Sequence, residues 1–454
     1  MRSGALRGLF FFLITIGLFS ASCAPKVTYP QERVVQALKD IAAKEYGIRN
    51  IQVEFVGTTM GVYLPLDQLF SLDFKDAIMS GKVTDMENLF KPTDAAINKV
   101  EDLLFSMSRV MLSTDKKINF YYLQATDIEK SGMELSFLGN IEDVKRVRFW
   151  DIPRSEYRKR VIHDIRLNQA ALWHRPVRHF FKDLDAAQGK VIQTQYFPKT
   201  AAAKWSKEFF FIDAQGNVTP AGQAHWEILD LRSIPIQDNE VVVYAKVRAS
   251  SKDTRTPSFQ PATLEYLFEV STKGEKEKIR RIIPLAYLDT HPQGLSPSFT
   301  RETVAQSLPH WETEFKTPDI RMGDFLSRQL TRRLQAMLPE DERIGNTFLS
   351  VKLNFAYEEG PEPYFTFDAV APLRSMKEKP YAPGLGLHED VLYLWKLGAR
   401  EFVEVLRSYE FKDYQYLVFQ IDQAAETFSW VAKREDLELF RRHKKDLEKI
   451  LVVR

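Results

Sequence analysis

The chain has 454 residues, 44% hydrophobic and 27% charged, the proportions of an ordinary globular protein rather than a disordered or fibrous one. Sixty-three basic against sixty-one acidic residues leave a net charge of +2, so there is no global electrostatic preference for nucleic acid. One cysteine in the whole sequence excludes an internal disulfide framework.

Arg2 and Arg7 form a short positive segment, and Leu9 to Phe19 is a run of eleven residues without a charge. A spanning helix needs roughly 17–25 apolar residues, so this run suits the apolar part of an export signal better than a stable anchor. No later stretch approaches a spanning length. The small residues Ser20, Ala21 and Ser22 then lead to Cys23. Phe19-Ser20-Ala21-Ser22-Cys23 resembles the lipobox of bacterial lipoproteins, with Ser20 where the commonest form has leucine. The resemblance covers the first 23 residues. It implies cleavage before Cys23 and acylation of its thiol and new amino group by palmitate-type chains. The expected location is the cell envelope, at the outer membrane facing the periplasm. Ser20 and Ser22 also allow ordinary cleavage and simple secretion. Acylation would remove the liability of a lone exposed thiol outside the cytoplasm, and several acyl chains exceed the two signals that stable attachment takes.

Thr28 and Gln31 have capping-box spacing, and Pro30 suits a first helical turn. Val34, Val35, Leu38, Ile41, Ala42 and Tyr46 recur on one helical face, with Gly47 as the stop. Only Ala24 to Val27 separate Cys23 from this helix, a reach of about 14 Å at most, so the first unit is expected to sit against the membrane surface. Ile51, Val53 and Phe55 alternate, Gly57-Thr58-Thr59 reads as a turn, and Val62 to Leu64 completes a second strand.

This helix–strand–strand order recurs three times. Ile97, Val100, Leu104, Met107 and Met111 form a helical stripe before strands at Ile118, Phe120 and Tyr122, then at Leu135 and Phe137. Phe325, Leu326, Leu330, Leu334 and Met337 precede strands over 349–357 and at Phe365 and Phe367. The fourth copy runs from Val391 to Leu406, through Leu417-Phe419-Ile421 and Phe428-Trp430, to a final helix over 435–450. These copies read either as diverged duplications or as a common way to cover a small antiparallel sheet. Their uneven spacing excludes a fixed-period solenoid.

Between the second and third copies the strands expected are 191–197, 208–212, 240–247, 263–270 and 278–288, with Pro284 marking an edge or a bulge. The stretch 289–318, with Pro292, Pro297, Pro309 and Pro318, reads as a linker or an extended wrapping segment. The fold class expected is α+β, with helix–strand–strand units and small antiparallel sheets flanking a β-rich centre. The divisions are a signal peptide at 1–22, units at 23–90 and 91–190, a β-rich domain at 191–288, the linker at 289–318, and units at 319–385 and 386–454.

Motif chemistry is sparse. There is no nucleophile elbow, HExxH, phosphate loop or CxxC. Gly384-Leu385-Gly386 lacks the third glycine and follows a proline-rich turn instead of a strand. His163, His174 and His179 crowd one region beside Asp164, but His174 and His179 stand five apart with Pro176 between them, outside the helical spacings of a zinc pair. No metal, cofactor or catalytic residue is therefore assigned. Asp213, Asn217 and Asp422 are loop or strand-end residues that nothing ranks above other acids, and Asn217-Val218-Thr219 fits a hairpin turn.

The one notable charge feature runs from Lys145 to Lys182, with eleven basic and three acidic residues. Arg154, Arg158, Lys159, Arg160 and Arg166 are its candidates for an anionic-ligand patch facing lipid headgroups or acidic envelope polymers. A solvated face paired with acids from elsewhere is the plainer alternative. The functional expectation is a lipid-anchored, non-catalytic binding or scaffold component contacting envelope proteins or anionic polymers. The alternatives are an envelope-polymer hydrolase whose carboxylates meet only in the fold, and a lipid or small-molecule carrier needing an apolar cavity in the β-rich middle.

Overall fold

The computed structural model describes residues 28–71, 91–186, 210–212, 218–253, 257, 259–273, 278–290, 299–375, 380–382, 386–423 and 426–453. Cys23 and the export segment lie outside the described residues, as do 191–197, Asp213 and Asn217, and Gly384-Leu385.

Helix α1 (Val34–Tyr46) buries Val34, Leu38, Ile41 and Ala42 and ends at Gly47, whose φ of 70° is the left-handed conformation glycine tolerates. The helix starts later than Thr28, at Val34. A bridge from Tyr29 to Thr114 pins the incoming chain, Thr28 gives its N–H to the Ser113 carbonyl, and a 3-10 turn at Gln31–Arg33 leads into the helix. The hairpin β1 (Gln52–Val56) and β2 (Thr59–Leu66) follows, then α2 (Asp94–Met111), capped by Thr93, then β3 (Phe120–Asp127) and β4 (Met133–Asn140).

These first two units are halves of one sheet. β2 and β3 pair in parallel, and α1 and α2 pack together on one face around Leu38, Leu103 and Met107. The boundary read at 90/91 thus joins two halves of a single core. Helices α3 (Ile141–Arg148) and α4 (Arg154–Arg160) lead to β5 (Ile162–Leu167), which extends the sheet to the order β1-β2-β3-β4-β5.

Helix α5 (Gln169–Asp185) runs unbroken past the buried Pro176, so His174 and His179 share one helix despite their spacing. A short pair, β6 (Phe210–Ile212) and β7 (Val218–Pro220), precedes a meander of β8 (Ala224–Gln237), β9 (Glu240–Ser251), β10 (Ala262–Ser271) and β11 (Lys278–Pro284). Pro284 does close an edge strand, β11. The sequence reading missed β5 in the first sheet and, in the meander, β8, whose register shifts at Ile228/Asp230 and Pro235/Gln237 break its period of two. One meander face receives Phe180 and Phe181 of α5. The other is covered by Leu285, Leu288, Val304 and Trp311, which include α6 (Arg301–Ser307). The described part of the expected linker is therefore packed structure, held by its buried apolar residues.

The last two units repeat the plan of the first two. Helix α7 (Met322–Met337), α8 (Glu342–Thr347), β12 (Lys352–Glu358) and β13 (Tyr364–Val370) form the first half, and the small pair β14 (Tyr381–Ala382) and β15 (Gly386–Leu387) follows. Helix α9 (Glu389–Ser408), β16 (Tyr416–Gln423) and β17 (Glu426–Lys433) complete the sheet, with β13 and β16 parallel. The expected closing helix is shorter: α10 (Arg434–Arg441) ends near His443, at φ 56°, and β18 (Val452–Val453) takes the sheet edge.

The fold class is α+β, with three small sheets. Helix α7 is shared between two of them. Phe325 lies 5.4 Å from the Phe120 ring on β3 and also belongs to the core of its own unit. Ahead of α7 the extended strap 311–321 crosses the open face of the first sheet, where Phe315 stacks on Tyr63 and Tyr122. Among the described residues no helix is long and apolar enough to cross a membrane.

Candidate functional site

The most concentrated polar chemistry lies where the first sheet, α5, β8 and the strap meet. His174 places Nδ1 2.6 Å from Glu314 Oε1 and Nε2 3.1 Å from Ser233 Oγ. Arg178, one turn further along α5, also pairs with Glu314, and Tyr63 donates to Glu314 Oε2 at 2.8 Å. Beside them Gln124 and Asn168 both donate to the Glu134 carboxylate and to the Glu314 carbonyl, and Arg166 pairs with Glu134.

Serine, imidazole and carboxylate in that order suggest an activated nucleophile. Access decides against it. Ser233 and His174 are both 0% exposed, and the Ser233 backbone exchanges two hydrogen bonds with Glu312, so no carbonyl substrate can reach the hydroxyl. Burial, with the Arg178 charge beside it, pushes the His174 pKa far down, and the neutral ring bridges Glu314 and Ser233. The cluster is a clamp that locks strap, helix and meander onto the first sheet. Carboxyls with raised pKa do not form a pair: Asp143, Glu269 and Asp368 lie on α3, β10 and β13, each raised first by burial, and none lines the cavities described next. No group of three potential metal ligands occurs among the described residues.

Two cavities flank this clamp, and a third lies on the opposite face of the first sheet. A polar one of about 530 Å³ opens over Glu134, Asn168 and Trp173. A groove of about 1210 Å³ runs between β5, the strap and α7, lined by cations at Arg166, Lys316, Arg328 and Arg332 and by acids at Glu54, Asp164 and Asp319. Lys316, Arg328 and Arg332 have neither ion pair nor hydrogen bond among the described residues.

The third cavity, about 660 Å³, is apolar. It lies between α2, the β4 end of the sheet and α4, with Ile97, Val100, Leu104, Leu135, Phe137 and Tyr157 as its wall. Arg154, Arg158, His163 and Glu101 supply its polar groups. Its size is that of ordinary small-molecule sites. The carrier alternative expected such a cavity in the β-rich middle, but here it lies in the first sheet unit. Ile97 and Leu104, which the helical stripe assigns to the core, are its wall: they sit on the shoulder of α2, and Ile97 is 38% exposed.

The five expected basic residues separate into two groups. Arg154 and Arg158 reach the apolar cavity, and Lys159 beside them is exposed; none of the three has an ion pair or hydrogen bond among the described residues. Arg160 is buried against Asp143 and Glu156, and Arg166 is held by Glu134. Spacing along the chain could not separate them, because the carboxylates that capture Arg160 and Arg166 include ones from other elements. Two aromatics went unremarked in the sequence, Phe149 and Trp150, inside the basic run and fully outward. Comparison with protein-family models, with curated proteins and with solved structures finds nothing that matches this chain.

Proposed function

We propose that this chain is a lipid-anchored cell-envelope protein that acts by non-covalent binding, and that it holds an amphiphile with an apolar body and an anionic group. The apolar cavity under α2 carries this reading. Its wall offers an acyl chain van der Waals contact and exclusion from water, while a sugar or peptide polymer would lose its hydrogen bonds there. Arg154 and Arg158 offer an unpaired guanidinium at the same cavity for a carboxylate or phosphate.

The test uses a fluorescent long-chain fatty acid titrated onto the purified protein. Saturable binding is expected, with Leu104→Trp filling the cavity and abolishing it. Arg154→Ala and Arg158→Ala should each weaken binding by about tenfold, the worth of a hydrogen bond to a charged group. Binding unaffected by Leu104→Trp would overturn the reading. The anchor has its own test: Cys23→Ser should release the protein from the membrane fraction, and unchanged partitioning would count against acylation.

A second reading draws on the groove with Lys316, Arg328 and Arg332, three unpaired cations that suit an anionic polymer or an acidic partner segment. Capture of partners from the native envelope, lost in the triple alanine variant of these cations, would support a scaffold role.

A further inference from the structure

The connector from α3 to α4 carries Phe149 and Trp150, 70% and 84% exposed. Trp150 has φ 66°, and the next residue, Asp151, donates back to the Arg146 carbonyl at 2.8 Å, closing α3 through a left-handed residue. Glycine is the residue this position favours, so a solvated, strained indole contributes nothing evident to folding. Arg148, Arg154, Arg158 and Lys159 surround the tip in sequence, all exposed and all without an ion pair or hydrogen bond among the described residues. Asp151 is the one exposed acid between Arg148 and Lys159. Neighbouring cations are engaged elsewhere, Arg146 with the Ser408 carbonyl and Arg160 with Asp143 and Glu156.

We propose that this tip docks on an anionic lipid bilayer. Phe149 and Trp150 enter the boundary between headgroups and acyl chains, where an amphipathic ring is most at home, and the four cations meet lipid phosphates. Charge complementarity selects this occupant: two apolar rings alone would suit a protein groove, but four unsatisfied cations around them call for a dense anionic surface. The inference goes beyond the amphiphile reading: it shares Arg154 and Arg158 with it and stands in addition on Arg148, Phe149, Trp150 and Lys159. Because Arg154 and Arg158 also line the apolar cavity, docking would bring that cavity close to the bilayer.

The experiment places the full chain, matured through its own export route, on vesicles of phosphatidylcholine with or without phosphatidylglycerol. Brominated acyl chains in these vesicles quench tryptophans that enter the bilayer. Quenching is expected with phosphatidylglycerol present, and Trp150→Phe should abolish it while leaving the fold intact. Replacing Arg148, Arg154, Arg158 and Lys159 by alanine should lower the docked-to-undocked ratio by roughly a thousandfold. Quenching that survives Trp150→Phe, or that is equal on neutral vesicles, overturns docking. An acyl anchor alone gives no quenching of Trp150, and Leu104→Phe, which narrows the cavity without adding an indole, leaves docking unchanged, so failure of the cavity reading is seen separately.

Discussion

Trp150 holds a backbone conformation that costs an L-residue roughly 1–2 kcal/mol, whereas glycine there would give back about 0.5–1 kcal/mol through its freer unfolded state. Trp150→Gly should therefore stabilise the protein slightly, by up to about 1 kcal/mol, and raise its thermal midpoint while it loses membrane quenching. A lowered midpoint would mean that the indole packs on the fold after all. His174 makes the opposite kind of prediction. Its folded pKa lies far below the ordinary 6.5, so between the two values the unfolded chain binds the extra proton. Its contribution is complete above about pH 6.5 and is lost as the pH falls through that value. Denaturant unfolding at about pH 7.5 and about pH 5.5 should differ by ~1 kcal/mol more in the wild type than in His174→Asn. Glu129, drawn down to about 2 chiefly by the hydrogen bond from His179, adds stability that persists to lower pH and fades only as the pH falls from about 4.5 toward that value.

At the scale of elements, the strap and the first sheet meet at Gly61. A Cβ there would stand 1.9 Å from Thr317 Oγ1, so strand β2 admits the strap only because residue 61 has no side chain. Gly61→Ala should cost about 1–3 kcal/mol, and Thr317→Gly in the same chain should recover part of it, as measured by chemical denaturation. Nothing in the alternation of β2 marks this glycine, since the contact comes from a segment more than two hundred residues away. The helices were more legible. The periods of α1, α2, α7 and α9 place the four helices, because burying one face of a helix writes itself into local sequence, although Ile97 and Met337 of their stripes are exposed. β8 was not legible, because its bulges interrupt the alternation.

Across the whole molecule, α7 makes the two repeated sheets interdependent. Phe325 is fully buried between Phe120 of the first sheet and Tyr409 of the last unit, and Gln329 donates to the Arg160 carbonyl and the Tyr409 hydroxyl. Phe325→Ala should cost about 3–5 kcal/mol and lower the stability of both sheets together. Native-state hydrogen exchange should show β3 and β13 losing protection in parallel; loss confined to one sheet would show that the units fold separately. Each sheet is built from two helix–strand–strand units joined by a parallel strand pair, β2 with β3 and β13 with β16. That shared join supports duplication more than similarity of element order does.

Sequence by itself determined the α+β class, the four helix–strand–strand units and the helices α1, α2, α7 and α9, all of which rest on the local periodicity of apolar residues. It also singled out Arg154, Arg158 and Lys159, though not apart from Arg160 and Arg166. Tertiary structure alone decided that the units merge in pairs, that Ile97 and Leu104 line a cavity instead of filling the core, and that a serine, histidine and glutamate far apart in the chain meet in a sealed clamp. Those outcomes depend on contacts between elements distant in sequence, and such contacts leave no period in either partner.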